Sequence, residues 1–324
     1  MNNFRKTDNN LRLKSFKKDE FLEEIFLEMN KKLIKNKIAI NHEHNFPTLF
    51  IFGLPRSGTT LSYQIISQCL DIGYINNLIA RFWLAPEYGI ALSKMFPNDN
   101  ISYDSNYGKT NNIFGPHEFA YFWHNWLNIK SEDDMLSFDG INKNIKWDKL
   151  GDSVRSMQNL FNSGIVFKTM FTANYIENFS KTFNNPIFIY LERDIFDVAI
   201  SILKAREKYY GDKNKWWATF PPNYKDLKNL SFDKQISGQV TSLKKIYSEV
   251  LNKVPKDKVI KISYEKICNN PNFILEKINE VLKKEYNQTI PIIRNAPLNF
   301  KFRTRNDNLN KDEKLLIEQL KMIT

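Results

Sequence analysis

Cysteine, histidine, glycine and proline are all scarce in this 324-residue sequence, at 2, 4, 11 and 12 residues. So little glycine and proline excludes a collagenous or largely disordered chain, and 14% aromatic residues argue for a packed interior. Cys69 and Cys268 stand far apart with no partner motif, a usage that fits a reducing compartment rather than a disulfide framework. No apolar run approaches the roughly 18 to 20 residues that span a bilayer. The N-terminal stretch has no apolar core of the kind a secretory signal carries. These absences predict a soluble cytoplasmic protein without a transmembrane segment; peripheral contact with a membrane face stays open.

Charge is plentiful but decides little. Lys and Arg number 47 against 36 Asp and Glu, a net +11. That excess suits nucleic acid, an anionic membrane or a phosphorylated small molecule. It is dispersed, with no Arg-rich tail and no basic block, and a Lys-, Asn- and Ile-rich composition accounts for it equally well.

The order of elements is more telling. Residues 1–17 read as a polar lead-in. From Lys18, Phe21, Leu22, Ile25, Phe26, Met29, Leu33 and Ile34 recur at helical spacing. Short apolar runs at Thr48–Phe52, Gly164–Lys168, Pro186–Leu191 and Lys258–Ile262 have the character of buried parallel strands. Helical patterns lie between them: Leu61 to Leu70, Tyr175 to Phe183, a segment from Asp194 through Val198, Ile202 and Arg206, and Gln235 to Leu251. Strands alternating with helices predict an α/β fold with a parallel sheet and right-handed crossovers. Residues 76–150 break the rhythm and read as an aromatic-rich insertion that shapes a pocket. With no repeat and no linker, residues 1–324 read as a single domain.

The first strand runs into Phe52-Gly53-Leu54-Pro55-Arg56-Ser57-Gly58-Thr59-Thr60. A turn from strand to helix points free N–H groups and the positive end of the helix dipole at whatever fills it. The Gly53-x4-Gly58 spacing is that of a P-loop, but Thr59 stands where an NTPase loop carries lysine. The cation is Arg56, inside the loop, able to hold an oxyanion bidentately. Mg²⁺-dependent triphosphate chemistry is therefore disfavoured. Pro55 in place of glycine also excludes a nucleophile elbow around Ser57. After the third strand come Arg193 and, two helical turns on, Ser201, a second candidate phosphate grip. Taken alone, Arg193 reads equally well as a helix-end charge paired with Asp194 or Asp197.

With both motifs in this order, the chain resembles the sulfotransferases that use 3′-phosphoadenosine-5′-phosphosulfate (PAPS). The resemblance rests on Gly53–Thr60 and Ile189–Ser201, with further likeness to bacterial members at Lys204–Trp217 and Ile262–Pro271. It implies a P-loop NTPase-like parallel sheet flanked by helices. It also implies PAPS as sulfuryl donor, with no metal. By the resemblance, Pro55, Arg56, Ser57, Gly58, Thr59 and Thr60 hold the 5′ end, and Arg193 and Ser201 the 3′-phosphate. Lys168 answers to the strand-borne lysine that stabilises the transferring group. Met170 stands where cytosolic members carry the catalytic histidine, and Tyr74–Asn77 offers no glutamate of the kind tyrosine sulfotransferases use.

The base must then come from elsewhere. His117 and Glu118 are the only adjacent histidine–carboxylate pair in the insertion. Glu118 is favoured because a carboxylate among Phe119, Phe122 and Trp123 would have a raised pKa, although a helix opening at Pro116 would make the pair a cap. Arg303 and Arg305 are candidates to reach the 3′-phosphate or adenine, and Trp216 and Trp217 to stack on a base or sugar. His117-Glu118-x5-His124 and His42-x-His44 have the wrong spacing for metal sites. The expected activity is sulfation of a hydroxyl or amine on a carbohydrate, lipid or small metabolite. The alternatives are a P-loop nucleotide kinase or hydrolase and, third, a basic nucleic-acid-binding protein.

Overall fold

A computed structural model of the chain describes residues 3–36, 44–96, 102–110, 112–136, 144–305 and 308–324. Five strands, β1 (Thr48–Gly53), β2 (Gly73–Tyr74), β3 (Ile165–Lys168), β4 (Pro186–Glu192) and β5 (Val259–Ser263), form one sheet in the order β2-β3-β1-β4-β5. All pairings are parallel, so this is an α/β fold with a central parallel sheet flanked by helices, as the alternating pattern predicts. The four longer strands coincide with the apolar runs. β2, two residues long, has no pattern to betray it; it exists because Gly73 and Tyr74 pair with Ile165 and Val166.

The strands β1, β3 and β4 are buried on both sides, and their alternate residues divide the core. Phe50, Phe52, Phe167, Phe188 and Tyr190 face one way, into a layer with Trp123, Phe179 and Tyr247. Leu49, Ile51, Val166, Ile187 and Ile189 face the other, against Ile65, Ile66, Ile274, Leu275 and Ile278. Phe50 alone has Phe167, Phe179 and Phe188 rings within 6.0 Å of its own, and burying a ring of that size contributes about 2 to 3 kcal/mol. The aliphatic face takes the flatter helices Thr59–Cys69 and Asn272–Tyr286; the aromatic face carries the insertion.

The insertion folds into helices Pro86–Lys94, Ala120–Trp126 and Glu132–Met135, with a tight turn at Asn106–Lys109. The segment read as a polar lead-in is a helix, Asn3–Leu11, followed by a turn in which Phe16 is buried and stacks 4.0 Å from Tyr209. Its order comes from tertiary contact, including the Leu13 N–H donated to the Tyr209 carbonyl at 2.8 Å, and not from any apolar stripe of its own. No helix among the described residues is long and apolar enough to cross a membrane.

Candidate active site

Because β3, β1 and β4 are neighbours and parallel, their C-terminal ends open on the same edge of the sheet, spaced by about 4.8 Å per strand. Ile51 is in register with Lys168 on one side and Ile189 on the other, and Gly53 with Leu191. The register therefore delivers Lys168, the 53–58 loop and Arg193 to one place, where the strand order branches around β1. A cleft of about 2110 Å³ opens there.

The loop holds a constrained shape. Arg56 sits at φ 70° and Gly58 at φ 95°, left-handed conformations that cost a non-glycine residue about 1 to 3 kcal/mol. A Cβ at 58 would also stand 2.4 Å from the Tyr264 ring. At Gly53 a Cβ would meet the Leu191 carbonyl at 2.6 Å and Ser57 Oγ at 2.7 Å. Gly58 is the N-cap of the Thr59–Cys69 helix, so the first N–H groups of that helix point into the loop without intrahelical acceptors. Ser57 is fully buried, and among the described residues its Oγ has no hydrogen-bond partner. A buried hydroxyl beside unclaimed amides fits an oxyanion that the protein itself does not provide.

The second turn meets the first directly. Asp194 caps the Ile195–Tyr210 helix by accepting from the Asp197 N–H at 3.0 Å, which starts the helix where the sequence places it. Ser201 Oγ then accepts from Arg56 Nε at 3.0 Å. Arg193 faces the loop, donating Nη1 to the Arg56 carbonyl at 2.7 Å and Nη2 to the Arg303 carbonyl. Its Nε is buried without a partner among the described residues, and its guanidinium lies 4.5 Å over the Tyr264 ring. Arg56 lies 5.1 Å over the Tyr107 ring. Burial first, and the neighbouring Arg193 second, hold the Arg56 pKa below its ordinary value, as expected where two cations share a site short of anions.

The C-terminal arginines divide. Arg305 is committed to carboxylates, pairing with Asp194 and, at 2.9 Å, with Asp197, while Thr304 Oγ1 donates to Asp197 at 3.0 Å. It fastens the 300–305 segment to the helix start. Arg303 lines the cleft, and among the described residues no carboxylate stands within ion-pair distance of it. The ion pair considered for Arg193 is thus made by Arg305.

On the other side of the cleft Lys168 Nζ donates to Thr60 Oγ1 at 2.9 Å and pairs with Glu118. Glu118 does not lie among the aromatic rings as expected. Phe119 adopts φ 57°, turning the chain so that Phe119, Phe122 and Trp123 enter the core while the carboxylate faces Lys168. His117 takes a different part. Its Nδ1 accepts the Phe119 N–H at 2.9 Å, which leaves the proton on Nε2, and its own N–H binds the Ile75 carbonyl. Burial, reinforced by Lys18, pushes its pKa down to about 4. With its acceptor nitrogen occupied by the Phe119 N–H, His117 braces the turn. The helix begins at Ala120, so Pro116 is not its first residue.

Trp216 and Trp217 line the cleft; Trp216 packs against Tyr224 with ring centroids 4.8 Å apart, and Trp217 against Tyr209 at 5.8 Å. His124 packs on Phe171. His42 lies outside the described residues. Three contributors escaped the sequence reading: Tyr107, Gly108 and Tyr264. Asn106 exchanges backbone hydrogen bonds with Lys109 at 2.8 and 3.1 Å, and the central pair Tyr107-Gly108 has φ 50° and 90°, a type I′ turn. A glycine in a polar stretch signals such a turn, but nothing local shows that it reaches the reaction centre. A Cβ on Gly108 would lie within 3.9 Å of Thr60 Oγ1, Glu118 Oε1 and Lys168 Nζ.

Among solved structures, sulfotransferase STF9 from Mycobacterium avium aligns with TM-score 0.49 and 11% identity, over 91% of this chain and 71% of that one. Sulfotransferase STF1 from Mycobacterium tuberculosis H37Rv aligns with TM-score 0.46 and 11% identity, over 81% and 71%. A sulfotransferase domain from the curacin biosynthetic pathway aligns with TM-score 0.41 and 11% identity, over 75% of each chain. No curated protein matches the sequence. The model of the sulfotransferase family matches residues 47–288, well over half the chain and both strand-to-helix turns. The chain belongs to the sulfotransferase family.

Proposed function

We propose that this chain transfers the sulfuryl group of PAPS to a hydroxyl or amine of a carbohydrate, lipid or small-metabolite acceptor. The observation that carries the proposal is the junction of the two turns: Arg56 Nε on Ser201 Oγ at 3.0 Å and Arg193 Nη1 on the Arg56 carbonyl at 2.7 Å. One doubly phosphorylated nucleotide can occupy two cradles that touch.

Bound PAPS supplies an activated sulfuryl group on a phosphate that leaves readily. The protein supplies position and charge. Pro55 stiffens the loop, whose amides, with Ser57, Thr59 and Thr60, hold the 5′ end; the Ser57 hydroxyl has no other partner among the described residues. Arg56 moves its charge toward the same oxyanions. Arg193 and Ser201 hold the 3′-phosphate, with Arg303 beside them. Lys168, kept in place by Thr60, neutralises negative charge gathering on the transferring group. Glu118 takes the proton of the acceptor hydroxyl or amine as its oxygen or nitrogen bonds to sulfur. It is the carboxylate that faces the cleft beside Lys168, which pairs with it and fixes its position.

Incubation with PAPS labelled at sulfur and a panel of hydroxyl and amine acceptors tests the assignment. Label should move to an acceptor in the presence of EDTA, leaving 3′-phosphoadenosine-5′-phosphate (PAP). Magnesium-dependent release of phosphate from ATP, with no transfer of label, would instead identify a nucleotide hydrolase.

A further inference from the structure

The helix Asn3–Leu11 and the turn after it lie outside the family-matched residues 47–288, yet they wall one end of the cleft. There Phe16 and Tyr209 form a stacked pair, and two cations gather on it. Lys109 Nζ stands 5.1 Å from the Phe16 ring and 5.3 Å from the Tyr209 ring; the Arg12 guanidinium is 6.0 Å from Tyr209. Both reach for the same peptide oxygen. Lys109 Nζ approaches the Phe16 carbonyl at 3.4 Å and Arg12 Nη1 at 3.5 Å, lengths at which a hydrogen bond is weak.

The local charge does not balance. Asp8 pairs with Arg12 and also accepts from the Tyr210 hydroxyl at 2.8 Å. Among the described residues, Arg12 Nε is closed off from solvent without a partner. Among the described residues, no carboxylate stands within ion-pair distance of Lys109. Lost hydration, then the nearby Arg12, lowers the Lys109 pKa, and Asp8 only partly opposes them. Two cations over an aromatic floor, sharing one carboxylate and one carbonyl, make a site short of a negative charge.

Its position says which ligand supplies that charge. Lys109 follows Gly108, about 3.8 Å along the chain, and Gly108 lies against Glu118 and Lys168. Tyr209 lies two turns beyond Ser201 on the same helix, about 12 Å further from the proposed 3′-phosphate grip. Resting on the sulfotransferase reading of the cleft, we propose that Arg12 and Lys109 form an anion subsite for the acceptor itself. They bind a carboxylate, phosphate or sulfate carried on the same molecule as the hydroxyl or amine to be sulfated. Tyr209, which lines the cleft and is backed by the buried Phe16, flanks the apolar part of that molecule.

The experiment uses matched acceptors that differ only in this charge, such as 4-hydroxyphenylacetate against its neutral amide and a sugar phosphate against the free sugar. Rates are measured at saturating PAPS. The same pairs are titrated by calorimetry into the PAP-saturated protein, so that a pair which does not turn over still reports a preference. The charged member should be favoured by about tenfold or more. Lys109→Met and Arg12→Met should each raise its KM or Kd by about 10- to 100-fold, far more than for the neutral partner. Lys109→Arg should keep the preference. Equal use of both members by the wild-type protein, or variants that weaken both alike, would overturn the subsite while the donor reading stands. Variants that chiefly weaken PAP would assign these cations to the nucleotide and overturn it too. Failure of the wild-type protein to bind PAP at all would bring down the donor reading, and the subsite with it.

Discussion

The two ends of the cleft are built by different means. At the end proposed for the nucleotide, three of the contacts sit within a few residues of a strand terminus: the 53–60 loop after β1, Lys168 at the end of β3, Arg193 after β4. Sheet register brings these three together, while Ser201 is placed by the helix after β4 and Arg303 by the C-terminal segment. At the end proposed for the acceptor, the N-terminal helix and the turn after it, the Asn106–Lys109 turn and the Trp216–Trp217 stretch meet without a shared sheet. Side-chain contacts such as Lys109 Nζ 5.1 Å from the Phe16 ring and Trp217 5.8 Å from Tyr209 hold them instead. On the proposed function, the sheet positions the chemistry and the loops choose the acceptor.

Four substitutions probe that division, taken from the largest effect down. Glu118→Gln should lower turnover by about 10²- to 10⁴-fold with PAP affinity nearly unchanged; retained activity in a sulfate-transfer assay would remove Glu118 as the base. Gly58→Ala forces a side chain onto a left-handed residue against Tyr264, and should cost about 1 to 3 kcal/mol in urea unfolding together with weakened PAP binding. A variant that loses neither would show that the loop tolerates reshaping. Arg305→Ala should cost about 1 kcal/mol of stability, since its ion pairs are partly exposed, and should weaken PAP less than Arg193→Ala does. The reverse order would return Arg305 to the nucleotide.

His117 gives the smallest effect and the clearest sign. Its pKa is about 4 in the folded chain against an ordinary 6.5, so between those values the unfolded state binds more protons. Its contribution is complete above about 6.5 and is lost as pH falls toward 4. His117→Gln should flatten the fall of unfolding free energy in that window, and an unchanged slope would contradict the assignment.

The same division explains how much could be read beforehand. Parallel strands announce themselves as Thr48–Phe52 or Pro186–Leu191 because both faces are buried, and a phosphate loop is contiguous in sequence. Glu118 was singled out for a reason the structure does not support. It was expected among aromatic rings, but the left-handed turn at Phe119 sends the rings inward and the carboxylate to Lys168. Arg303 and Arg305 are two residues apart and alike in type, yet only one faces Asp194 and Asp197. Tyr107, Tyr264 and the Arg12–Lys109 pair depend on which distant segments pack together, and no spacing encodes that.

The central claim is that the Arg56 and Arg193 turns clasp one nucleotide from both ends. Calorimetric comparison of PAP with AMP, which lacks the 3′-phosphate, tests it most directly. The account predicts that PAP binds at least about 100-fold more tightly, and that Arg193→Ala removes most of this advantage. Equal affinity for PAP and AMP, or a preference that survives Arg193→Ala intact, would contradict it.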